Sequence, residues 1–124
     1  AYALPALIIA SKVQNKAKKV GFDFDSASDA IKKIEEELDE VKDVYKDENK
    51  SRIEEELGDL LFSVVNVSRF LKLDAEETLN RATDKFIARF EQIEKLANER
   101  NIDMKTSSLD ELDALWDEVK NKGF

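Results

Sequence analysis

Apolar residues recur at helical spacing along most of this chain, and residues that interrupt helices are scarce. The 124 residues include one Pro and three Gly, so tight turns are few and helices can run long. From residue 27 onward, apolar side chains are spaced three or four apart, as on one face of a helix: Ala27, Ala30, Ile31, Ile34, Leu38, Val41 and Tyr45. No alternating strand pattern competes with this spacing, and the sequence therefore predicts an all-α fold.

Helix start and stop signals divide the chain into five helices. Pro5 is placed to open a first helix that runs through Val20 and stops at Gly21. The other starts show a Ser or Asp with an acidic residue three positions later: Ser26-x-x-Asp29, Ser51-x-x-Glu54, Asp74-x-x-Glu77 and Ser108-x-x-Glu111. The fourth helix is expected to end at Asn101. These elements predict a bundle of four main helices and a short C-terminal helix, forming one domain over residues 1–124.

The last three helices carry their own apolar stripes, which are expected to point into the core. They comprise Ile53, Leu57, Leu60, Leu61, Val64 and Val67 on the third helix, Leu79, Ala82, Phe86, Phe90, Ile93 and Ala97 on the fourth, and Leu109, Leu112, Trp116 and Val119 on the fifth. The Phe86/Phe90 pair in particular is interpreted as core.

Composition excludes several classes of function. The absence of Cys and His removes disulfides, the usual zinc sites, thiol nucleophiles and imidazole-based triads. It also removes di-iron sites that need a Glu-x-x-His motif. A net charge of −8 argues against unaided binding to nucleic acid or to an anionic membrane.

The apolar runs are too short to span a bilayer and no signal-peptide pattern is present, so a cytoplasmic location is expected. The chain starts with Ala1, and we expect it to be part of a longer protein.

Two acidic clusters are the most informative polar feature, Glu36–Glu40 and Glu54–Asp59. Each contains two acids three apart, Glu37 with Glu40 and Glu56 with Asp59, and residues three apart share a helix face. At 100° per residue, both pairs flank their own apolar stripe on the same side, at about 60° and about 120° from a central Ile. If the two helices are antiparallel neighbours, four carboxylates can meet and would suit a hard cation such as Mg²⁺. The same arithmetic also allows both pairs to face away from each other.

A solvated helix face is the ordinary interpretation of either acidic cluster taken alone. Lysines at helical spacing, namely Lys42, Lys46 and Lys50, are available as partners. Gly58 counts against that interpretation, because a mid-helix Gly costs about 1 kcal/mol relative to Ala and indicates close approach of a backbone or ligand.

Two further groups have both an ordinary and a functional interpretation. Arg81, Lys85 and Arg89 form a basic stripe that either solvates its helix or clamps phosphate oxygens. Trp116 and Lys120 are four apart; the indole either anchors the last helix or stacks on a base.

Glu36-Glu37-x-x-Glu40 followed by Glu56-x-x-Asp59 resembles the signature of the MazG-type, all-α nucleoside triphosphate pyrophosphohydrolases. The resemblance extends to short sequence motifs on either side of this signature, which make it specific to the catalytic MazG domain. These motifs are Leu4-Pro5-Ala6-Leu7, Lys12-x-Gln14-x-Lys16-Ala17, Val20-Gly21-Phe22-Asp23, Gly58-Asp59-Leu60-Leu61-Phe62, Val65-Asn66, Lys85-Phe86 and Arg89-Phe90. Thr83 departs from the pattern, since relatives often have Asn there.

The resemblance implies a Mg²⁺-dependent hydrolase, with Mn²⁺ as a possible substitute, that converts NTPs or dNTPs to the monophosphate and pyrophosphate with broad base tolerance. By position, the site residues it implies are Glu37, Glu40, Glu56 and Asp59 as metal ligands, Lys33 and Glu36 as nucleotide contacts, Lys85 and Arg89 as phosphate contacts, and Trp116 and Lys120 in the nucleotide pocket. Glu40 or Glu36 is the hypothesis for the catalytic residue that orients the water. A homodimer is implied, with no nucleic-acid or membrane partner. The alternatives are a dUTP- or dCTP-specialised pyrophosphatase and a non-catalytic dimerisation or regulatory module.

Overall fold

The all-α prediction is confirmed by the structure, a computed structural model that describes residues 4–124. The five helices are α1 (Ala6–Lys19), α2 (Ala27–Val44), α3 (Lys50–Phe70), α4 (Ala75–Glu99) and α5 (Leu109–Asn121), and residues 4–124 contain no strand. The chain forms two compact units, of which one ends at Thr78 and the other runs from Leu79 to Phe124. Helix α4 begins in the first unit and continues in the second.

Three of the predicted helix starts are confirmed by side-chain caps. In each, the cap oxygen accepts a hydrogen bond from the backbone N–H three residues later and so satisfies one of the free donors of the first turn. The caps are Ser26 with Asp29 at 3.2 Å, Asp74 with Glu77 at 3.0 Å, and Ser108 with Glu111 at 3.2 Å.

The predicted cap at Ser51 is wrong. Asn49 caps α3 instead: its Oδ1 accepts from the Arg52 N–H at 3.3 Å, and the helix begins at Lys50. Asn and Ser are comparable N-caps, and the Asn comes first along the chain, so Ser51 falls inside the first turn.

Helices α1 and α4 end in the same hydrogen-bonded motif. Beyond α1, Gly21 has φ +87° and its N–H donates to the Lys18 carbonyl, while Phe22 N–H donates to the Ala17 carbonyl. Beyond α4, Asn101 takes the equivalent left-handed position at φ +54°. The hydrogen bonds of this motif satisfy carbonyls of the last turn. Gly and Asn are the residues that tolerate its left-handed backbone conformation best. The predicted stops at Gly21 and Asn101 are confirmed.

Helices α2 and α3 form the main packing pair of the first unit, and they run antiparallel. Glu37, toward the end of α2, lies beside Glu56 near the start of α3. Asp23, just before α2, reaches Arg69 at the far end of α3. Helix α1 packs on α3 as well, and the described apolar residues buried within this unit are Ala30, Val44 and Val65.

The Asp23–Arg69 contact is a shielded, two-point ion pair. Arg69 Nη1 and Nη2 donate to the two carboxylate oxygens of Asp23 at 3.0 and 2.6 Å, and the two side chains are only 14% and 8% exposed, respectively, for Asp23 and Arg69. Asn66 Oδ1 accepts a further hydrogen bond from Arg69 Nε at 3.1 Å. The hydrogen bonds from Arg69 hold the pKa of Asp23 below its ordinary value.

The second unit has its own small core. Four residues of α4 and α5 are buried against one another, namely Ile93, Ala97, Leu115 and Val119, and Trp116 is among the partly buried residues that pack on them. Arg100 and Glu118 form an exposed ion pair that joins the ends of the two helices.

Much of the apolar surface that was predicted to be core is exposed. The α2 stripe residues Ile31, Leu38 and Tyr45 are 41–55% exposed. Residues predicted to point inward that are 40–72% exposed are Leu57, Leu61, Val64, Leu79, Phe86, Phe90 and Leu109. For these residues the prediction is wrong, including the assignment of Phe86 and Phe90 to the core. An apolar stripe identifies a helix face that avoids water, but it does not specify which chain covers that face.

Breaking the shielded ion pair tests what it contributes to the fold. Asp23→Asn leaves Arg69 without its counter-charge, so the free energy of unfolding at neutral pH should fall by about 3 kcal/mol. Because folding lowers the pKa of Asp23 below its ordinary 3.8, the contribution is complete above that pH and is lost as pH falls through the lowered value. In urea unfolding, the difference between wild type and variant should therefore begin to narrow below about pH 3.8 and disappear only below the lowered pKa of Asp23.

The matched control is Glu118→Gln, which breaks the exposed pair with Arg100. Its effect on the free energy of unfolding should be much smaller than that of Asp23→Asn, because solvent screens an exposed pair. If the two variants lost equal free energy of unfolding, the Asp23–Arg69 pair would contribute no more to stability than an exposed ion pair, and the prediction would be wrong.

Candidate functional site

Three acidic side chains from α2 and α3 converge at one place. Glu37, Glu56 and Asp59 each offer one carboxylate oxygen, and these oxygens lie within 4.8 Å of one another. The antiparallel pairing of the helices and the three-residue spacing of Glu56 and Asp59 produce this arrangement. Glu37 is buried, Glu56 is half-buried and Asp59 is exposed. Clustered carboxylate oxygens are the ligand type of hard cations, so the group could hold one.

Glu40 stands at the edge of this acidic cluster. It is not among the three residues whose oxygens lie within 4.8 Å, yet its charge acts on Glu56. The pKa of Glu56 is raised first by partial burial and then by the charges of Glu40 and Asp59. The carboxylates therefore repel one another, and binding a cation would relieve that repulsion.

Lys33 places a positive charge directly beside the cluster. Its Nζ lies 3.0 Å from Glu37 Oε1 and 3.5 Å from Glu36 Oε2. The hydrogen bond to Glu37 is the main cause that raises the pKa of Lys33. Lys33 and Glu36, both predicted nucleotide contacts, thus lie directly beside Glu37, and their role in binding stays a prediction.

A cleft of about 820 Å³ opens beside the acidic cluster within the first unit. Its wall on α3 extends from Asp59 to Arg69, roughly 15 Å along the helix axis. Its α2 side includes Lys33 and Glu37, and apolar side chains of α1, the following loop and α3 complete it: Val13, Ala17, Phe22, Phe24 and Phe62. The volume lies within the range of small-molecule sites.

The remaining predicted binding residues lie in the second unit. Trp116 is flanked there by the guanidinium of Arg89, 5.4 Å from the ring centre, and by the ring of Phe86 at 5.7 Å. Arg89 Nε also donates to the Phe124 carbonyl at 2.8 Å. Lys85 and Lys120 are exposed. Contact of these four residues, Lys85, Arg89, Trp116 and Lys120, with a nucleotide stays a prediction.

Two features of the site differ from what sequence reasoning provided. Gly58 was expected to mark close approach of a backbone or ligand. An added Cβ there would meet no atom of residues 4–124 within 4 Å, so the expected approach of a backbone within the described chain is wrong, and approach of a ligand stays a prediction. Gln14 and the Asp23–Arg69 pair line the cleft and were given no role. Gln14 and Asp23 belong to the short sequence motifs that carry the family resemblance, but no helical pattern indicates that either residue lines a cavity.

Comparison with known proteins decides the family. The family described as "MazG nucleotide pyrophosphohydrolase domain" matches residues 25–94, a segment that contains the whole acidic cluster. The chain belongs to this MazG family.

The relatives that the MazG-family chain resembles are longer than the chain itself. It is 43% identical over 117 residues to the "Nucleoside triphosphate pyrophosphohydrolase/pyrophosphatase MazG" of Thermotoga maritima, an alignment that covers 94% of this chain and 45% of that protein. It is 36% identical over 122 residues to the "Nucleoside triphosphate pyrophosphohydrolase" of Escherichia coli K12, covering 97% and 46%. "Uncharacterized protein YabN" of Bacillus subtilis is 46% identical over 65 residues, covering 52% and 13%. The chain therefore spans about half the length of the two pyrophosphohydrolases.

None of the helices within residues 4–124 is both long enough and apolar enough to cross a membrane.

Removing one acid tests whether the cluster is a cation site. In the absence of divalent cation, Glu56→Gln should raise the melting temperature, because it removes the repulsion of Glu56 with Glu37, Glu40 and Asp59. Added Mg²⁺ should raise the melting temperature of the wild type by mass action and have little effect on the variant. Scanning calorimetry with and without Mg²⁺ measures both effects.

Glu54→Gln serves as the control, since it removes the same charge from an exposed position of α3 outside the three-acid group. It should retain the Mg²⁺-dependent increase. If Glu56→Gln also retained the full increase, the assignment of this cluster to a cation would be wrong.

Proposed function

We propose that this chain hydrolyses nucleoside triphosphates to the monophosphate and pyrophosphate, with Mg²⁺ as its cation and Mn²⁺ as a substitute. The observation that supports this most directly is the meeting of Glu37, Glu56 and Asp59 beside a cleft of nucleotide size. The family match and the printed names of the Thermotoga and Escherichia relatives give the same reaction class.

The donor set fits a hard cation, because every candidate ligand is a carboxylate oxygen. Glu37, Glu56 and Asp59 would hold Mg²⁺, with Glu40 as the fourth predicted ligand. When bound, the cation supplies positive charge that offsets the charge of the triphosphate. Lys33, now paired with Glu37, can turn to a phosphate oxygen once that carboxylate serves as a ligand.

Chemistry at the α-phosphorus requires a base and a leaving group. Glu40 or Glu36 orients a water and accepts its proton as the new oxygen–phosphorus bond forms. The bond from the α-phosphorus to the bridging oxygen breaks, and pyrophosphate leaves with the bonding electron pair. In this proposal Lys85 and Arg89 stabilise the charge on the departing pyrophosphate, while Trp116 and Lys120 complete the nucleotide pocket.

Broad base tolerance is part of the proposal. The cleft wall around Val13, Ala17 and Phe22 is apolar, and apolar walls discriminate weakly between ligands of similar size. A dUTP- or dCTP-specialised enzyme and a non-catalytic module are the other outcomes of the following test.

Pyrophosphate release from a panel of NTPs and dNTPs, with and without Mg²⁺, tests the activity. Release from several substrates is expected only with the cation. Glu37→Gln and Asp59→Asn should each lower turnover by about 100-fold, with the helical circular dichroism unchanged, whereas Glu54→Gln should match wild type. Release from dUTP or dCTP alone would support the specialist, and no release at all would support the module.

We also propose that the chain forms a homodimer in the cytoplasm. Leu57, Leu61 and Val64 share one face of α3 and are each about half exposed. A two-fold axis would place this face against its copy, which would bury apolar surface that the single chain leaves in contact with water.

A charge on this face should separate the protomers. Leu61→Glu is expected to shift the sedimentation mass from two chains toward one, since two carboxylates would have to be buried in the symmetric contact. Val20→Glu, at an exposed apolar residue after α1, should leave the mass unchanged. A wild-type mass of one chain at all concentrations would exclude the dimer.

A further inference from the structure

One side-chain amide in the wall of the cleft is buried and only half satisfied. Gln14 of α1 is 6% exposed, and its Nε2 donates to the Phe62 carbonyl of α3 at 2.9 Å. Because a carbonyl only accepts, this bond fixes the orientation of the amide: the nitrogen faces Phe62 and the oxygen faces elsewhere. Within residues 4–124, Gln14 Oε1 is the buried side-chain oxygen that has no hydrogen-bond donor.

Burying such an oxygen without a hydrogen-bond donor costs folding free energy, because burial has removed the water that it would otherwise bind. Native structures contain few groups of this kind, and a role at a binding site is one reason for them to persist. The other internal polar groups along the same wall have partners. Ser63 Oγ donates to the Leu60 carbonyl, and Asp23 is held by Arg69.

The position of Gln14 indicates which part of a ligand it would meet. Its partner Phe62 lies one helical turn beyond Asp59 on α3, roughly 5 Å along the axis. The cleft residues near it in sequence, Val13 and Ala17, are apolar. A ligand whose anionic end occupies the acidic cluster would therefore place its next chemical group beside Gln14.

The chemistry of that group follows from what the oxygen lacks. Gln14 Oε1 needs an N–H or O–H donor, and the bridging and ionised oxygens of a triphosphate only accept. Within a nucleoside triphosphate, the donors belong to the ribose hydroxyls and to the base. We propose that Gln14 Oε1 accepts a hydrogen bond from the nucleoside part of the substrate and thereby sets the relative affinity among the nucleotides that the cleft accepts.

This inference rests on the proposed function, since it takes the ligand to be a nucleoside triphosphate. The oxygen is covered in the free chain, so the donor reaches it when a neighbouring side chain of the cleft shifts, a change common on ligand binding. The arriving donor then pairs an oxygen that was unpaired, and an analogue without that donor leaves it unpaired again.

Wild-type protein and a series of analogues provide the first test. ATP has three donors in its nucleoside part: the 2′-hydroxyl, the 3′-hydroxyl and the exocyclic amine. Each donor is absent from one analogue: 2′-deoxy-ATP, 3′-deoxy-ATP and purine riboside triphosphate. The analogue that lacks the donor paired with Gln14 should have a KM about 10-fold higher than that of ATP, which corresponds to about 1.4 kcal/mol. A hydroxyl effect assigns the ribose and an amine effect assigns the base. Equal KM values for all four compounds would overturn the inference.

Gln14→Met provides the second test, because Met has similar length but no amide oxygen. The variant should raise KM for ATP about 10-fold, change kcat little, and no longer distinguish ATP from the analogue that matters. Competitive inhibition by inorganic tripolyphosphate, which has no nucleoside, should be unchanged. The same substitution at the chain's other glutamine, Gln92→Met in the second unit, should change none of these values.

The remaining outcomes separate the two proposals. Equal weakening of ATP and tripolyphosphate in Gln14→Met would mean that the amide only supports α1 on α3, and unchanged KM for ATP would mean that the oxygen binds an internal water; either result overturns the inference. If Gln14→Met does not fold, the wild-type analogue series decides alone. Wild type that binds neither ATP nor tripolyphosphate would overturn the proposed function itself, whereas equal affinity for all nucleotides would overturn only the role of Gln14.

Discussion

The antiparallel contact between α2 and α3 is the constraint on which the rest of the first unit depends. It brings Glu37 to Glu56 and Asp59, although these two acids follow Glu37 by 19 and 22 residues in the sequence. Both helices contribute to the wall of the cleft. A change that rotated either helix by one residue, about 100°, would move the carboxylates apart, and they could no longer bind one cation together. Helical periodicity alone established that convergence was possible; the pairing of the helices decides it.

Local features were predictable because they depend on a few neighbouring residues. The caps at Ser26, Asp74 and Ser108 are short-range hydrogen bonds, and the left-handed stops at Gly21 and Asn101 follow from backbone sterics. The error at Ser51 is also local, since two good capping residues stand close together and the earlier one, Asn49, is used. The candidate acids could be selected for the same reason, as three-residue spacing is a property of one helix.

Long-range relations could not be obtained in the same way. The exposure of Phe86, Leu61 and their neighbours depends on what other surface is available to cover them, and periodicity does not supply that. The Asp23–Arg69 pair joins residues 46 apart in sequence, and the half-satisfied amide of Gln14 emerges only when the carbonyl of Phe62 is placed. The position of Glu40, close enough to raise the pKa of Glu56 but outside the three-acid group, depends on the offset between two helices.

Two polar contacts attach α1 and the loop after it to α3. They span nearly equal stretches of chain, 48 residues for Gln14 with Phe62 and 46 for Asp23 with Arg69. Closing either contact shortens the loop that the other must close to about 16 residues, which lowers the entropic cost of the second closure by about 1 kcal/mol. The two contacts therefore favour each other's formation without touching. Helix α1 and the loop after it should dock on α3, and leave it, as one cooperative segment, so that one wall of the cleft assembles in a single step of folding.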